Sequence, residues 1–474
     1  MVARRKWAEA LAAAMRSGFA AHAEGARTLG REAELPLVRA STGGAADTAE
    51  LWEALRAAAP ARMTTKRQGE LVVGLACEDY EVVSEVGRGT IEIVTRPAND
   101  LHELASIYED ALAHVTTAAA SEGVDVLGYG IQPRTGATPA LLTPKPRYRA
   151  LHQVLGPPWL AFTTTAADQC HVSVTRDEAI EASDTVNLLA PLVVALTANS
   201  PVSGGVDLGV CSGRESIMRA TGMDTVTCRG RDGGTRTAAR ARHGMPHAPA
   251  RDFVSHVESL LMHRTLIDPA NHPLSGGSGC EWLERLYGMG GVVADEATGA
   301  PAGVIDEARE FFEKHEHYVW HSARPRPLHG TVEVRAACQQ PVTERHATPA
   351  LALGLVGGWR ECREAVLAHF SGRMDAAWAA CSEWHARAAR DGLAAREPAP
   401  GLIDDVLAAC DGALRARGLG EEGHLAPLRG RARDGKNPAQ VARDVFARGG
   451  VDALIEHATF PVGYSMQERR EAVV

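Results

Sequence analysis

The sequence predicts an α+β protein, with strands and interspersed helices first and a helical region after them. Two patterns carry this. Residues 69–95 alternate apolar and polar side chains around Gly87 and Gly89, the period of antiparallel strands joined by a hairpin. From about residue 350 onward the chain is rich in Ala, helical in spacing and poor in strand signals.

Taken in order, residues 5–28 read as an Ala-rich amphipathic helix ending near Gly25, followed by a strand over 29–38 and a polar stretch with Gly43 and Gly44. Residues 101–120 have helical spacing, with Asn99 or Asp100 as the N-cap. Segments 124–131 and 168–174 read as strands, and 177–198 as one long buried helix stopped by Asn199-Ser200-Pro201. The Arg- and Gly-rich stretch 228–245 reads as a loop. A helix near 250–262, a glycine-rich loop from Ser275 to Gly279 and a strand over 330–336 follow. In the tail, Asn437-Pro438-Ala439-Gln440 is a helix start, with a cap, proline at the first position and Gln at the third. The division expected is 1–345 for a catalytic α+β part and 346–474 for a helical region packed on it.

Composition narrows the class. With 45% hydrophobic and 23% charged residues the chain is of globular type. A net charge of -9 and a pI near 6.1 argue against nucleic acid as the main partner. The apolar run 188–198 is shorter than the roughly 20 residues of a membrane span. Arg4, Arg5 and Lys6 are followed by Glu9, Arg16, His22 and Glu24, so no secretory leader is expected. Nine scattered cysteines without a C-x-x-C pair suggest neither zinc nor a disulfide framework, and a reducing cytoplasm is the expected location.

Three short segments can carry chemistry. In Gly30-Arg31-Glu32-Ala33-Glu34, strand period puts Glu32 and Glu34 on one face. In the run from Glu85 to Glu92, a turn at Arg88-Gly89 would make Glu85 and Glu92 cross-strand neighbours. In His329-Gly330-Thr331-Val332-Glu333-Val334-Arg335, Thr331, Glu333 and Arg335 share a face. Each alone fits an ordinary solvated strand. Together they suit magnesium, a hard cation that prefers oxygen ligands, with guanidinium groups for phosphate. The Ser275–Gly279 loop lacks the Lys-Ser/Thr ending of a phosphate loop. Arg229, Arg231, Arg236, Arg240 and Arg242 are more often a solvated charge run than a phosphate-closing loop.

The ordered set resembles the glutamate–cysteine ligases of the plant and actinobacterial type and the related carboxylate–amine ligases. The family's G-x-E-x-E strand is matched by Gly30, Glu32 and Glu34, and its glycine turn and strand glutamate by Gly87, Gly89 and Glu92. Its PKGRY-like segment is matched by Pro144-Lys145-Pro146-Arg147-Tyr148, and its A-L-x-A-N-S-P helix end by 195–201. Ser212-Gly213-Arg214 and Glu333-Val334-Arg335 match its S-x-R and E-V-R, so the resemblance runs over roughly 29–460. It implies a glutamine synthetase-like antiparallel sheet with surrounding helices, and ATP with Mg2+. Glu32, Glu34, Glu92 and Glu333 would bind metal, supported by Glu85. Arg335 and Arg214 would contact phosphate, His171 metal or nucleotide, and Arg147, Tyr148 and Asn199 the substrate. The implied reaction joins a small acid to an amine through an acyl phosphate, with L-glutamate and L-cysteine as the conventional pair. Cys170-His171-Val172-Ser173 departs from the plant-type V-Q-V-N, and Cys338 stands where the family usually has Asp. Both departures are expected on the substrate side.

Overall fold

A computed structural model describes residues 2–23, 25–59, 62–229 and 235–463, with backbone alone at 2 and over 223–229 and 235–240. Nine strands form one sheet: β1 (Leu29–Arg39), β2 (Thr64–Gln68), β3 (Leu71–Ala76), β4 (Tyr80–Ser84), β5 (Thr90–Thr95), β6 (Val124–Val126), β7 (Asp168–Ser173), β8 (Ala323–Arg326) and β9 (Thr331–Val334). Their order is β8-β9-β7-β1-β5-β4-β3-β2, with β6 on the far end of β1, and every pairing is antiparallel. The helices that bear on the site are α1 (Leu101–Ser121), α2 (Pro146–Leu155), α3 (Gly213–Thr221) and α4 (Ala347–Gly357). The fold is α+β, with a mostly antiparallel sheet and many helices.

The two faces of β1 have opposite fates. Ala33 and Leu35 point into the core with Ile91 and Ile93 of β5, Leu104 and Tyr108 of α1, and Leu351 and Leu355 of α4. That buried cluster continues through Trp384 and Leu407, so the sheet and the helical region after 346 share one core. Arg31 lies on this apolar face. Its guanidinium donates to both oxygens of Asp168 on β7, at 2.7 and 2.9 Å, and to the carbonyl of Arg345, and it stacks 3.7 Å over Tyr108. Both side chains of the pair are fully buried, where a charge persists only when paired and hydrogen-bonded. Glu109 of α1 likewise holds Arg345 and His346 at 2.7 Å.

Four expectations change. The first helix is Val2–Ser17 and ends well before 28. At the next residue, Gly18, a Cβ would stand 2.5 Å from the Pro327 carbonyl oxygen. The segment 177–198 is two helices, Ala179–Leu188 and Ala190–Thr197, bent by 51° where Pro191 supplies no N–H. The stretch 228–245 is largely strand: Met223–Arg229 pairs with Thr235–Ala241. The Arg229, Arg231, Arg236 and Arg240 side chains lie outside the described residues, while Arg242 is buried and donates to the Tyr318 and Arg264 carbonyls. The strand expected over 124–131 is only three residues long, β6 (Val124–Val126). In the helical region the Asn437 cap is reciprocated by Gln440, as the start signal implied.

Candidate active site

Register builds the site. Residues directly opposite in an antiparallel pair share a face. Glu34 faces Glu92, Glu32 faces both Gln169 and Val94, His171 faces Glu333, and Glu333 faces Arg324. These side chains therefore line the side of the sheet away from the core. They form the floor of a cavity of about 260 Å³ whose lining also includes Glu85, Arg147, Tyr148, Arg214 and Arg335.

The floor divides electrostatically. On one side, His171 Nε2 lies 3.0 Å from Glu32 and its Nδ1 3.0 Å from Thr331 Oγ1. Arg324 grips Glu333 with two hydrogen bonds of 3.0 and 3.1 Å, Arg335 bonds it too, and Arg326 lies 3.5 Å away. Burial pushes Glu333 up, but Arg324, Arg335 and His171 hold it well below the usual carboxylate range. Burial also raises Glu32, but the hydrogen bond and charge of His171, with Arg335, together hold it below its ordinary value. On the other side, Glu34, Glu85 and Glu92 make no ion pair with any described residue. Burial and the charge on Glu85 push Glu34 to about 7, although it accepts from the Ala167 N–H and the Gln169 amide. Burial, then Glu85, Glu32 and Glu34, push Glu92 well above the usual range.

This imbalance fits a divalent cation. Glu34, Glu85 and Glu92 offer oxygen donors alone, and their crowding is what a hard ion would relieve. Glu32, His171 and Glu333 bring ligand atoms within 4.8 Å of one another, the one such group among the described residues. Its imidazole makes that second set better suited to a borderline ion.

Side chains off the sheet close the cavity. Arg147 and Tyr148 sit in the first turn of α2, bonded Nη2 to Oη at 2.8 Å. Arg214 sits in the first turn of α3, whose N-cap Ser212 accepts from the Glu215 N–H, while Ser200 Oγ accepts from Arg214 N–H. Glu215 reaches His385 at 3.0 Å and ties α3 to the helix Met374–Asp391. Trp159, Phe162, Met218, His243, His317, Tyr318 and Trp320 complete this roof.

Of the residues proposed from sequence, Glu32, Glu34, Glu85, Glu92, Arg147, Tyr148, His171, Arg214, Glu333 and Arg335 come together on this cavity. Asn199 does not. Its amide donates to the Gly128 and Gln339 carbonyls at 3.0 and 2.9 Å, so it braces the chain behind the site. Cys338, expected on the substrate side, is also off the cavity, against Ser200 and Ser212. Glu85 is not the register partner of Glu92, a place held by Val83. It lies in the connection after β4 and hydrogen-bonds Glu92 from there. Arg324 and Arg326 were not anticipated, although their period-2 spacing puts them on the face of Glu333.

Several glutamate–cysteine ligases are similar over part of their length. That of Natronomonas pharaonis is 33% identical over 181 residues, covering 31% of this chain and 49% of that protein. The chloroplastic enzyme of Solanum lycopersicum is 28% identical over 160 residues, covering 32% and 30%. A putative glutamate–cysteine ligase 2-3 of Rubrobacter xylanophilus is 27% identical over 191 residues, covering 40% and 47%. The chain thus spans about half or less of the length of these curated relatives. A glutamate–cysteine ligase of Francisella tularensis solved in complex with AMP covers 93% of this chain and 88% of its own at 11% identity and a TM-score of 0.48, too loose a likeness to assign any residue. The sequence profile of glutamate–cysteine ligase family 2 (GCS2), by contrast, matches residues 28–457, and the chain belongs to that family.

Proposed function

We propose that the protein is an ATP-dependent carboxylate–amine ligase that joins a small acid to an amine through an acyl phosphate. The observation that carries this reading is the convergence of five carboxylates, His171 and a set of arginines on one cavity. A free carboxylate acylates poorly because its leaving group would be oxide. Phosphorylation by ATP makes phosphate the leaving group, and the amine then attacks the acyl carbon. Such chemistry asks the protein for charge neutralisation and positioning more than for a nucleophile.

Glu34, Glu85 and Glu92 are the residues that would hold magnesium first, with Glu32 and Glu333 adding carboxylate oxygens and His171 beside them. Bound there, the ion would screen phosphate charge as the acid approaches the γ-phosphoryl group. Arg335 and Arg214 would hold phosphate oxygens, and Arg147 with Tyr148 would orient the acid. Glu333 keeps Arg324 and Arg335 in place at one end of the row. L-glutamate and L-cysteine are the first pair to test. A different acid or amine is the second reading, favoured by the ring-lined roof. A cytoplasmic location suits these substrates.

The test is phosphate release from ATP and Mg2+ with L-glutamate, with and without L-cysteine, and the mass of the product. Cysteine-dependent release with a γ-glutamylcysteine mass supports the conventional pair. Release that needs an acid but no amine, with a phosphorylated product, would make the protein a phosphotransferase instead.

A further inference from the structure

The roof is chemically unlike the floor. Aromatic residues are 5% of the chain, yet five of the 25 residues lining the cavity are Tyr148, Trp159, Phe162, Tyr318 and Trp320. They form a continuous wall. Tyr148 lies 6.2 Å from Trp159, Trp159 stacks on Phe162 at 6.0 Å, and Trp320 lies 6.0 Å from Phe162 and 5.7 Å from Tyr318. His243 stacks on Trp320 at 4.8 Å, and Leu151 and Met218 add apolar surface. Faces of this kind bind flat ligands by offset stacking.

Four polar atoms of the roof lack partners. Trp159 Nε1, Tyr318 Oη, Arg147 Nε and Arg214 Nε are shut off from solvent with no hydrogen bond. A buried donor left so destabilises the empty site. All four can donate, so what completes them carries acceptor oxygens. Roof charge has one sign as well. Arg147 and Arg214 are cationic, and burial first, then neighbouring arginines, hold His243 and His317 neutral.

Resting on the ligation proposed above, we propose that the acyl donor is a planar aromatic carboxylic acid. Its ring lies on the Trp159–Phe162–Trp320 wall, its carboxylate toward Arg214 and Arg335, and any ring oxygen within reach of Trp159 Nε1 and Tyr318 Oη. In the reaction, a carboxylate oxygen attacks the γ-phosphorus and ADP leaves. The amine nitrogen then attacks the acyl carbon, phosphate leaves, and the nitrogen loses a proton.

Hydroxylamine, a small amine that traps acyl phosphates as hydroxamates, tests this without knowledge of the natural amine. Phenylacetate, 4-hydroxyphenylacetate and L-glutamate are offered with ATP and Mg2+, and binding of each acid is followed by calorimetry. An aromatic acid is expected to exceed L-glutamate in kcat/KM by about tenfold or more. Tyr318→Phe keeps the ring and removes the donor, and Trp159→Phe replaces the indole and its donor with a smaller ring. Each is expected to weaken 4-hydroxyphenylacetate about five- to tenfold, with KM for ATP unchanged. Hydroxamate from L-glutamate alone overturns the aromatic donor and leaves ligation standing. Aromatic binding that is sensitive to Trp159→Phe, without hydroxamate from any acid, supports the pocket and sinks ligation. Absence of binding by both aromatic acids to the wild-type protein overturns the proposal.

Discussion

Glu92 sits opposite Glu34 with Glu85 beside it, and burial pushes its carboxyl well above the usual range. In metal-free protein the residue is a burden on the fold. Glu92→Gln keeps the shape and removes the charge, so it is expected to stabilise the metal-free protein by about 1 kcal/mol while lowering magnesium-dependent turnover at least about 100-fold. Thermal melts in EDTA and phosphate release check the two halves, and a destabilised variant would deny that the three carboxylates repel. Glu109 behaves oppositely. Burial raises it, but the hydrogen bonds from His346 and Arg345 prevail and hold its carboxyl at about 2. An unfolded glutamate titrates near about 4.3, so the pair's contribution is whole above that value and lost as pH falls toward 2. Glu109→Gln is expected to cost about 3 kcal/mol at neutral pH and to flatten the fall in stability over that acid window. Urea titrations at stepped pH show whether the two curves converge.

Among elements, the connection between β4 and β5 is the most tightly fitted. A Cβ on Gly87 would lie 1.8 Å from the Thr163 carbonyl oxygen, a backbone atom that cannot swing aside. Gly87→Ala is expected to lose about 1–3 kcal/mol and to displace Glu85, so turnover should fall further than stability accounts for. Denaturant midpoints beside steady-state rates separate those losses. The same element marks how far sequence reading reaches. Strand period alone puts Glu32 with Glu34 and Glu333 with Arg335, because that relation is local. The partner strand carrying Arg324 and Arg326 was hidden by Pro325, which argues against a strand except at a sheet edge, and β8 is an edge. Of the roof only Arg147, Tyr148 and Arg214 were legible, through family motifs: Trp159, Met218, His243 and Trp320 come from separate segments with no common spacing. Asn199 looked chemical because it ends a helix in a family motif, yet its amide is spent on two carbonyls.

At the scale of the whole molecule, one core runs from β1 through α4 to Leu407 and Leu428. The helical region is thus the back wall of the sheet. A fragment of residues 1–345 is expected to lack cooperative unfolding, because Leu35, Ile93 and Val172 would lose their cover. A sharp calorimetric transition in that fragment would show that the sheet part folds on its own.

The pair Arg31–Asp168 sits directly behind the row of glutamates, locking β1 to β7 in a single register. A strand pinned from behind cannot slide to suit a new ligand, so the row of glutamates resists drift. The rings of the roof come from separate segments, each of which can change one side chain at a time. Under the ligation proposed above, descent with altered substrates would be channelled: new acids would be tried at the roof while the floor kept its chemistry.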